Sequence, residues 1–500
     1  MTETTLRSAG PVNGPVTRRP ATPGRRRRLV GIDAARGISL LGMIMLHALY
    51  EADAAGQPTW SHTAFSGRAA AAFAVLIGVG MTFATGRRQV APRAGRPPAT
   101  ALCVRALCIG AIGLVLGEID VMLDSVVLPY IGMMILLAIP LTFLPTWAIA
   151  GIGVVMATAM PAAVQLWQPH LPEPSLGNIT FGYLAESPMA VLSELTLVGF
   201  YPALPWLAFL CAGLVIGRLD LNRRRTALLL TAVGSALAVA AATASSLLLQ
   251  RFGGLAQIWA ARERSGLSEA ETTELLTFGG NGTTPTSTWW WLAVDGRHTG
   301  TPVDIIGNAG IAIALLGVML LAGSLTHPGV RRLVGAVQYP LAAVGSLTLT
   351  FYAAHIVFIN SDFDNYDATT GCLVQVIAVL VIGLAWKATV GRGPLEGIVV
   401  VLTDYARQQA VAAANRNRAA PLPPATDVAT VAALAMRGAD VPEPAVGAPD
   451  GPELRSRPST AIGTARPPNA AQYAAPPERT GTVYHAHSSR SPRRRTKRRW

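Results

Sequence analysis

Runs of about twenty largely apolar residues recur along the chain, separated by short polar stretches rich in arginine, proline or acids. About twenty residues at 1.5 Å each is the length a helix needs to cross the hydrocarbon core of a bilayer. The runs predict ten spans, over 29–50, 66–85, 101–117, 125–144, 147–167, 197–217, 226–249, 302–325, 334–359 and 372–390. Arginine clusters at 18–28, 87–96, 218–225, 331–332 and in the tail fall on one side of such a bundle. Most loop acids, including those of GEIDVMLD and NSDFDNYD, fall on the other. Lys and Arg accumulate in cytoplasmic loops, so this alternation predicts that both termini are cytosolic. The expected fold class is an all-α, polytopic integral membrane helical bundle of about ten transmembrane helices.

The segments outside the spans divide the chain further. Residues 1–28 are Pro/Gly/Arg-rich, end in RRRR, and read as a disordered basic cytosolic arm. Their opening, MTETTLRSAGPVNGP, lacks a signal-peptide core, so the first span is expected to stay in the protein. Residues 29–407 form the transmembrane domain, whose last piece, GRGPLEGIVVVLTDYARQQ, reads as a helix lying half-buried against the inner face. Residues 408–500 are Ala/Pro/Arg-rich and read as a disordered basic cytosolic tail. Its SPRRRTKRRW ending is either a contact for anionic lipid or a solvated tail. The longest outer loop, 251–301, carries a helical-looking RERSGLSEAETTELL, and its tryptophans at 289–291 fit an interfacial aromatic belt.

Composition agrees with a membrane protein: 51% of the 500 residues are hydrophobic and only 14% are charged. The net charge of +13 lies mostly in the ends and short loops, which argues against a nucleic-acid-binding domain. Cys103, Cys108, Cys211 and Cys372 sit singly inside apolar segments without a CxxC pair. They predict neither a disulfide framework nor a zinc site.

The first span holds the chemistry that needs explaining. It carries Asp33, Arg36 and His47, and a charged group near mid-membrane costs roughly 2.5–3.5 kcal/mol on insertion scales. Asp33 and Arg36 stand at i,i+3, and His47 follows Arg36 by about three helical turns, so one stripe holds all three. The rise from Asp33 to His47 is about 21 Å. The bland alternative is an anchor with a snorkelling ion pair and a packed histidine. Folding the ten spans together gives an inner layer of Asp33, Arg36, Arg105, Arg392 and Glu396. The outer layer holds His47, Arg68, Asp304, Asn308 and His355, with Glu194 and Tyr201 nearby. Among these, Arg105 and Arg392 also suit topology anchors, Arg68 a snorkelling end, His355 a core histidine, and Glu194 and Tyr201 interfacial positions.

No GxSxG elbow, HExxH metal pair or glycine loop ending in GK[ST] occurs, so neither a serine hydrolase, a metal site nor a nucleotide site is expected. Histidines and arginines at two depths suit acyl transfer. An imidazole can act as a base or carry the acyl group, and an arginine can hold an oxyanion or a phosphate.

RLVGIDAARGISLLGMIMLH resembles the opening of the heparan-alpha-glucosaminide N-acetyltransferase catalytic-domain family and its bacterial YeiB-like relatives, whose first span reads R-x-x-x-[LI]-D-x-x-R-G-[ILV]. FSGRAAAAFAVLIGVG and FYPALPWLAFLCAGLVIGRLDL are similar to its second and sixth spans. VGSLTLTFYAAHIVF and GRGPLEGIVVVLT are similar to the YeiB-type C-terminal block, usually written GPLEWLWR. The resemblance covers about residues 28–407. It implies a membrane acyltransferase that takes an acetyl or short acyl group from cytosolic acetyl-CoA or acyl-CoA, with no cofactor bound permanently. The acceptor it implies is a glycan or lipid-linked molecule on the other side. Arg36 and Arg105 would face the CoA phosphates, with Asp33 as the partner of Arg36. His47 would be the base or acyl carrier, and Arg68 and His355 would serve the acceptor or oxyanion. The family's human member has its key histidine in the loop after the first span, where this chain offers His62, so His47 and His62 both remain open. Gly397 follows GPLE where the family has an aromatic residue.

The expected setting is the cell's plasma membrane. The expected partners are membrane lipids and the acceptor, no nucleic acid, and a second copy of the chain as an open case. The alternative function is a transporter or flippase using the same charges without acyl transfer, although no internal repeat of broken helices is visible. A third reading is a non-catalytic membrane scaffold.

Overall fold

The computed structural model describes residues 29–419 apart from 121, 122, 124 and 176. The basic arm expected over 1–28 and the tail from 420 onward lie outside the described residues. Up to Asn415 the described residues belong to one compact unit.

Seventeen α-helices follow in order, joined by short 3-10 and π turns. They are α1 (Val30–Ala48), α2 (Trp60–Phe65), α3 (Arg68–Ala84), α4 (Arg96–Ile119), α5 (Leu128–Ala138), α6 (Thr146–Trp167), α7 (Phe181–Glu186), α8 (Pro188–Ser193), α9 (Ala203–Arg218), α10 (Arg224–Ser246), α11 (Gly254–Ala260), α12 (Glu269–Phe278), α13 (Pro302–Gly323), α14 (Pro328–Gly345), α15 (Thr348–Ile359), α16 (Ala368–Thr389) and α17 (Pro394–Ala419). No strand occurs among the described residues, and a lone bridge pairs Ala52 with Pro58 after α1. The protein is an all-α membrane bundle. Seven helices are long and apolar enough to cross a bilayer, nine if each of two bent pairs counts once, and the apolar Leu128–Phe143 is shorter.

Two of the expected spans are broken. The stretch expected as one span over 334–359 is α14 and α15, bent by 74° across Ser346 and Leu347. The span expected over 197–217 is preceded by a π turn, and Pro188–Val198 meets α9 at 50°. Helix α17 runs to Ala419, past the expected boundary at 407, because 408–414 read QQAVAAA-like and alanine is the strongest helix former.

Small residues set the packing. In lipid there is little hydrophobic gain from pairing helices, so close approach through small side chains supplies the contact energy. Gly37 of α1 lies against the Leu341 carbonyl of α14, and Gly345 lies against the Asp33 carbonyl, leaving no room for a Cβ at either place. Gly78 and Gly213 lock α3 to α9, and Gly234 and Gly310 lock α10 to α13, in the same way. Helix α1 is the hub, touching α2, α3, α13, α14, α15 and α16. Helices α6 and α10 present mostly exposed faces instead.

The 251–301 loop is a folded lobe. A Ser268–Glu271 capping box starts α12, and Ile258, Trp291 and Val294 form a small core of their own. Trp291, expected in an interfacial belt, is 1% exposed, whereas Trp289 is 55% exposed. The lobe needs an apolar centre of its own, and Trp291 supplies it, its Nε1 donating to Ser287 Oγ at 3.3 Å.

Candidate functional site

The break between α14 and α15 leaves the first N–H groups of α15 without helical partners, which is costly where water is scarce. Glu396, in the first turn of α17, fills that role. Its Oε1 accepts from Leu349 N at 2.8 Å and Thr350 N at 3.1 Å, and its Oε2 accepts from the Thr350 hydroxyl. A Cβ at Gly393 would collide with this carboxylate, which accounts for the glycine opening GPLE. Glu396 therefore caps the helix that carries His355.

At the Asp33 end of α1, Arg36 Nη1 donates to Asp33 Oδ1 at 3.3 Å, and Arg36 Nη2 donates to the Leu76 carbonyl of α3 at 3.4 Å. Arg105 of α4 lies within electrostatic range of both Arg36 and Glu396. By surface area Arg105 is exposed. The expected inner residues Asp33, Arg36, Arg105 and Glu396 thus come together. For Arg392 the structure shows a backbone role, its carbonyl accepting from Trp386 Nε1 at 2.7 Å.

At the other end of α1, His47 Nδ1 and His355 Nε2 are 2.9 Å apart, with rings nearly parallel at 12°. His355 Nδ1 lies 2.5 Å from Gln375 Oε1 of α16. An amide oxygen can only accept, so His355 carries its proton on Nδ1 and offers the Nε2 lone pair to His47 Nδ1–H. In that arrangement His47 keeps the lone pair on Nε2. Three helices thereby fix the tautomer and aim of one imidazole, the arrangement a base or nucleophile requires.

Arg68 is not brought to this pair by any contact the structure shows. It donates to the Thr63 carbonyl, and its charge acts on Asp295 and Asp304. Asp304 accepts from Gly300 N at 3.2 Å and from Asn308 Nδ2 at 2.6 Å, which fastens the lobe to the start of α13. Glu194 and Tyr201, expected at an interface, are buried. Tyr130, Tyr183 and Ser175 all donate to Glu194, and their convergence from three segments removes the carboxylate from solvent.

A second cluster forms where the lobe meets the loop after α1. Arg297 Nη1 donates to Ser66 Oγ at 2.6 Å and to Glu51 Oε1 at 3.4 Å. His62 is 4% exposed, its Nδ1 is 3.8 Å from Glu51 Oε1, and neither ring nitrogen has a hydrogen-bond partner. His298 stacks on Trp206 and meets Tyr201 edge-on, has an unpartnered Nδ1, and takes a left-handed backbone with φ of 50°. Burial, then the charge of Arg297 and the proximity of His62, push His298 down to about 3 from an ordinary value of 6.5. Burial pulls the Arg297 guanidinium below its usual range, with Glu51 acting against it. Asp295 is pushed up by burial, opposed by Arg68.

Residues 28–249 match the family model described as heparan-alpha-glucosaminide N-acetyltransferase, catalytic. That is the acetyltransferase family the opening motif resembles. The match runs from the start of α1 to just beyond α10 and includes Asp33, Arg36, His47, His62, Arg68 and Arg105. His355, Gln375, Glu396, Arg297 and His298 lie beyond it. No curated protein matches the chain significantly. The segment matched by the family model therefore includes α1 with its charges, and the later helices α15 and α16 supply the groups that hold His47.

Gln375, Arg297 and His298 are not among the residues singled out from the sequence. An uncharged amide inside an apolar span is a weaker signal than a charge, but the same cost of burying polar groups applies to it. The other two stand in a polar loop, where only the fold reveals burial.

Proposed function

We propose that this chain is an integral-membrane acyltransferase of the plasma membrane. It moves an acetyl or short acyl group from cytosolic acyl-CoA to a glycan or lipid-linked acceptor on the opposite face. The family match supports the reaction class, and the relay from His47 through His355 to Gln375 carries the assignment of the reacting group. His47 Nε2 takes the proton from the acceptor hydroxyl or amine as that atom bonds to the thioester carbonyl carbon. The carbon–sulfur bond breaks, and CoA leaves as a thiolate that is protonated in turn. Arg36, oriented by Asp33, and Arg105 hold the CoA phosphates at the far end of α1, as paired guanidinium groups commonly hold phosphate. The two ends are separated by about 21 Å, so donor recognition and transfer occupy different depths.

A second reading makes His62 the reacting histidine. The observation that favours it is that both of its buried nitrogens lack a partner, as in a site awaiting a ligand. The test uses the full chain in proteoliposomes with radiolabelled acetyl-CoA and envelope glycans or lipids. Wild type is expected to bind CoA and transfer label, and neither binding nor transfer would overturn the acyltransferase. Loss of transfer in His62→Ala with retention in His47→Ala would replace the first reading by the second. A transporter would move substrate without labelling any product.

A further inference from the structure

Helices α15 and α16 face one another across a trough of about 340 Å³ rather than packing in close backbone contact. One face of each helix lines it: Leu347 just before α15 and positions 350, 351, 354, 355 and 358 on it, and 375, 378, 379, 382 and 386 on α16. These positions repeat at helical spacing over about 16 Å on each side. Phe351, Phe358, Val379 and Ile382 make the walls apolar. Ala354 and Ile382 are exposed, so the trough opens sideways, toward the surface that a bundle of this kind turns to lipid. Trp386 and Pro394 close one end, and the Trp386 ring is fixed there by its bond to the Arg392 carbonyl.

The polarity is confined. The Thr350 hydroxyl is taken up by Glu396, which leaves His355 and Gln375, side by side at the far end. Gln375 is 6% exposed, its oxygen is occupied by His355, and its Nε2 has no hydrogen-bond acceptor. A buried amide donor without an acceptor is costly, and in a trough open to lipid it is matched by an oxygen arriving with an aliphatic tail. Neither α6 nor α10, the other largely exposed apolar helices, combines a lined trough with such a donor.

We propose that this trough binds the aliphatic chain of a lipid-linked acceptor, with an oxygen at the head end of that chain accepting from Gln375 Nε2. The head is thereby delivered beside the His47–His355 pair. This rests on the acyltransferase reading and selects, from the acceptors it allows, the lipid-linked class. The chain lies along α15 and α16 with its tail toward Trp386, and the trough sets which lipids are accepted.

The experiment reconstitutes the full chain in phosphatidylcholine vesicles. They contain a trace of phosphatidylethanolamine whose acyl tail ends in a photoactivatable diazirine. Crosslinked peptides are mapped by mass spectrometry. Label is expected to concentrate on α15 and α16 over α6 and α10. Ala378→Trp, which fills the trough one helical turn beyond Gln375, is expected to reduce that label by more than about tenfold, since each methylene kept out is worth about fourfold. Gln375→Glu retains an oxygen toward His355 but loses the donor, and is expected to shift the label along the trough. Even labelling of all four helices, indicating annular lipid only, or label unchanged in Ala378→Trp would overturn the proposal. Undiminished transfer to a lipid-linked acceptor in Ala378→Trp would overturn it too, while leaving the acyltransferase intact. Concentrated, blockable label without acetyl transfer would sustain the lipid site and sink the enzyme reading instead.

Discussion

The two histidine clusters are built on opposite terms. His47 and His355 are joined to each other and to the Gln375 oxygen, and the orphaned atom of that chain is the amide nitrogen of Gln375. His62 and His298 are as deeply buried, yet three of their four ring nitrogens have no partner, and the guanidinium beside them carries an unpartnered Nε as well. Orphaned buried polar groups cost roughly 1–3 kcal/mol each, so the second cluster stands against folding where the first supports it. A hydrogen-bonded relay is suited to passing a proton at fixed geometry. An orphaned, neutral cluster next to a cation is suited to holding something else, or to sensing whether it is there.

The largest expected effect separates the clusters at once. Replacing His47 by alanine removes the base, and general base catalysis is worth roughly a hundred- to ten-thousand-fold. Transfer from labelled acetyl-CoA should fall by that amount in His47→Ala and by far less in His62→Ala. Equal losses in both would mean that the clusters work as one site.

Next comes the support of the relay. Glu396 stabilises the exposed start of α15 through hydrogen bonds to a charged carboxylate, each worth about 1.5–3 kcal/mol. Glu396→Ala should lower the unfolding midpoint in detergent and reduce transfer together, because His355 rides on the uncapped helix. Glu396→Gln, which keeps one acceptor, should recover part of both. A drop in midpoint with unchanged transfer would show that the relay does not depend on how α15 begins.

The orphaned cluster is tested by pH. His298 titrates near 3 when folded and near 6.5 when unfolded, so the unfolded chain binds the extra proton between those values. Stability is therefore lost as pH falls below about 6.5, at a limiting slope of about 1.4 kcal/mol per pH unit. At pH 5 the loss is about 2 kcal/mol. Asp295, with its pKa raised by burial, acts in the opposite sense at lower pH. His62, lowered from 6.5 to about 4 by burial and then by the charge of Arg297, acts in the same sense as His298. The midpoint of wild type should therefore decline from pH 7 to 5, and His298→Gln should remove about half of that decline. A flat wild-type profile would mean that burial and the charge of Arg297 do not hold these rings neutral.

How far the sequence revealed these clusters follows from the physics of each group. His47, His355, Asp33 and Arg36 stand out because ionisable residues are rare in apolar runs, and helical spacing alone places Asp33 beside Arg36. The meeting of His47 with His355 depends on α1 crossing α14 at Gly37 and Gly345, a contact between segments about 300 positions apart. The 74° break is invisible for another reason: it falls at Ser346 and Leu347, while the nearby Pro340 lies inside α14. Its compensation, Glu396, comes from a distant helix. The burial of Glu194 is not legible in its own segment, because its partners Tyr130 and Tyr183 arrive from other helices.

The smallest expected effect concerns the far end of the hub helix. Arg36 reaches both Asp33 and the Leu76 carbonyl with a planar fork that a lysine cannot reproduce. Arg36→Lys retains the charge, so attraction for the CoA phosphates persists while the fixed aim is lost. The expected outcome is roughly a tenfold weaker apparent affinity for acetyl-CoA, with the maximal transfer rate nearly unchanged. The Asp33 end would then govern binding alone, and the His47 end the transfer itself. A fall in maximal rate with unaltered affinity would reverse that division, placing Arg36 at the reacting carbonyl and forcing the acyl group to change hands near Asp33.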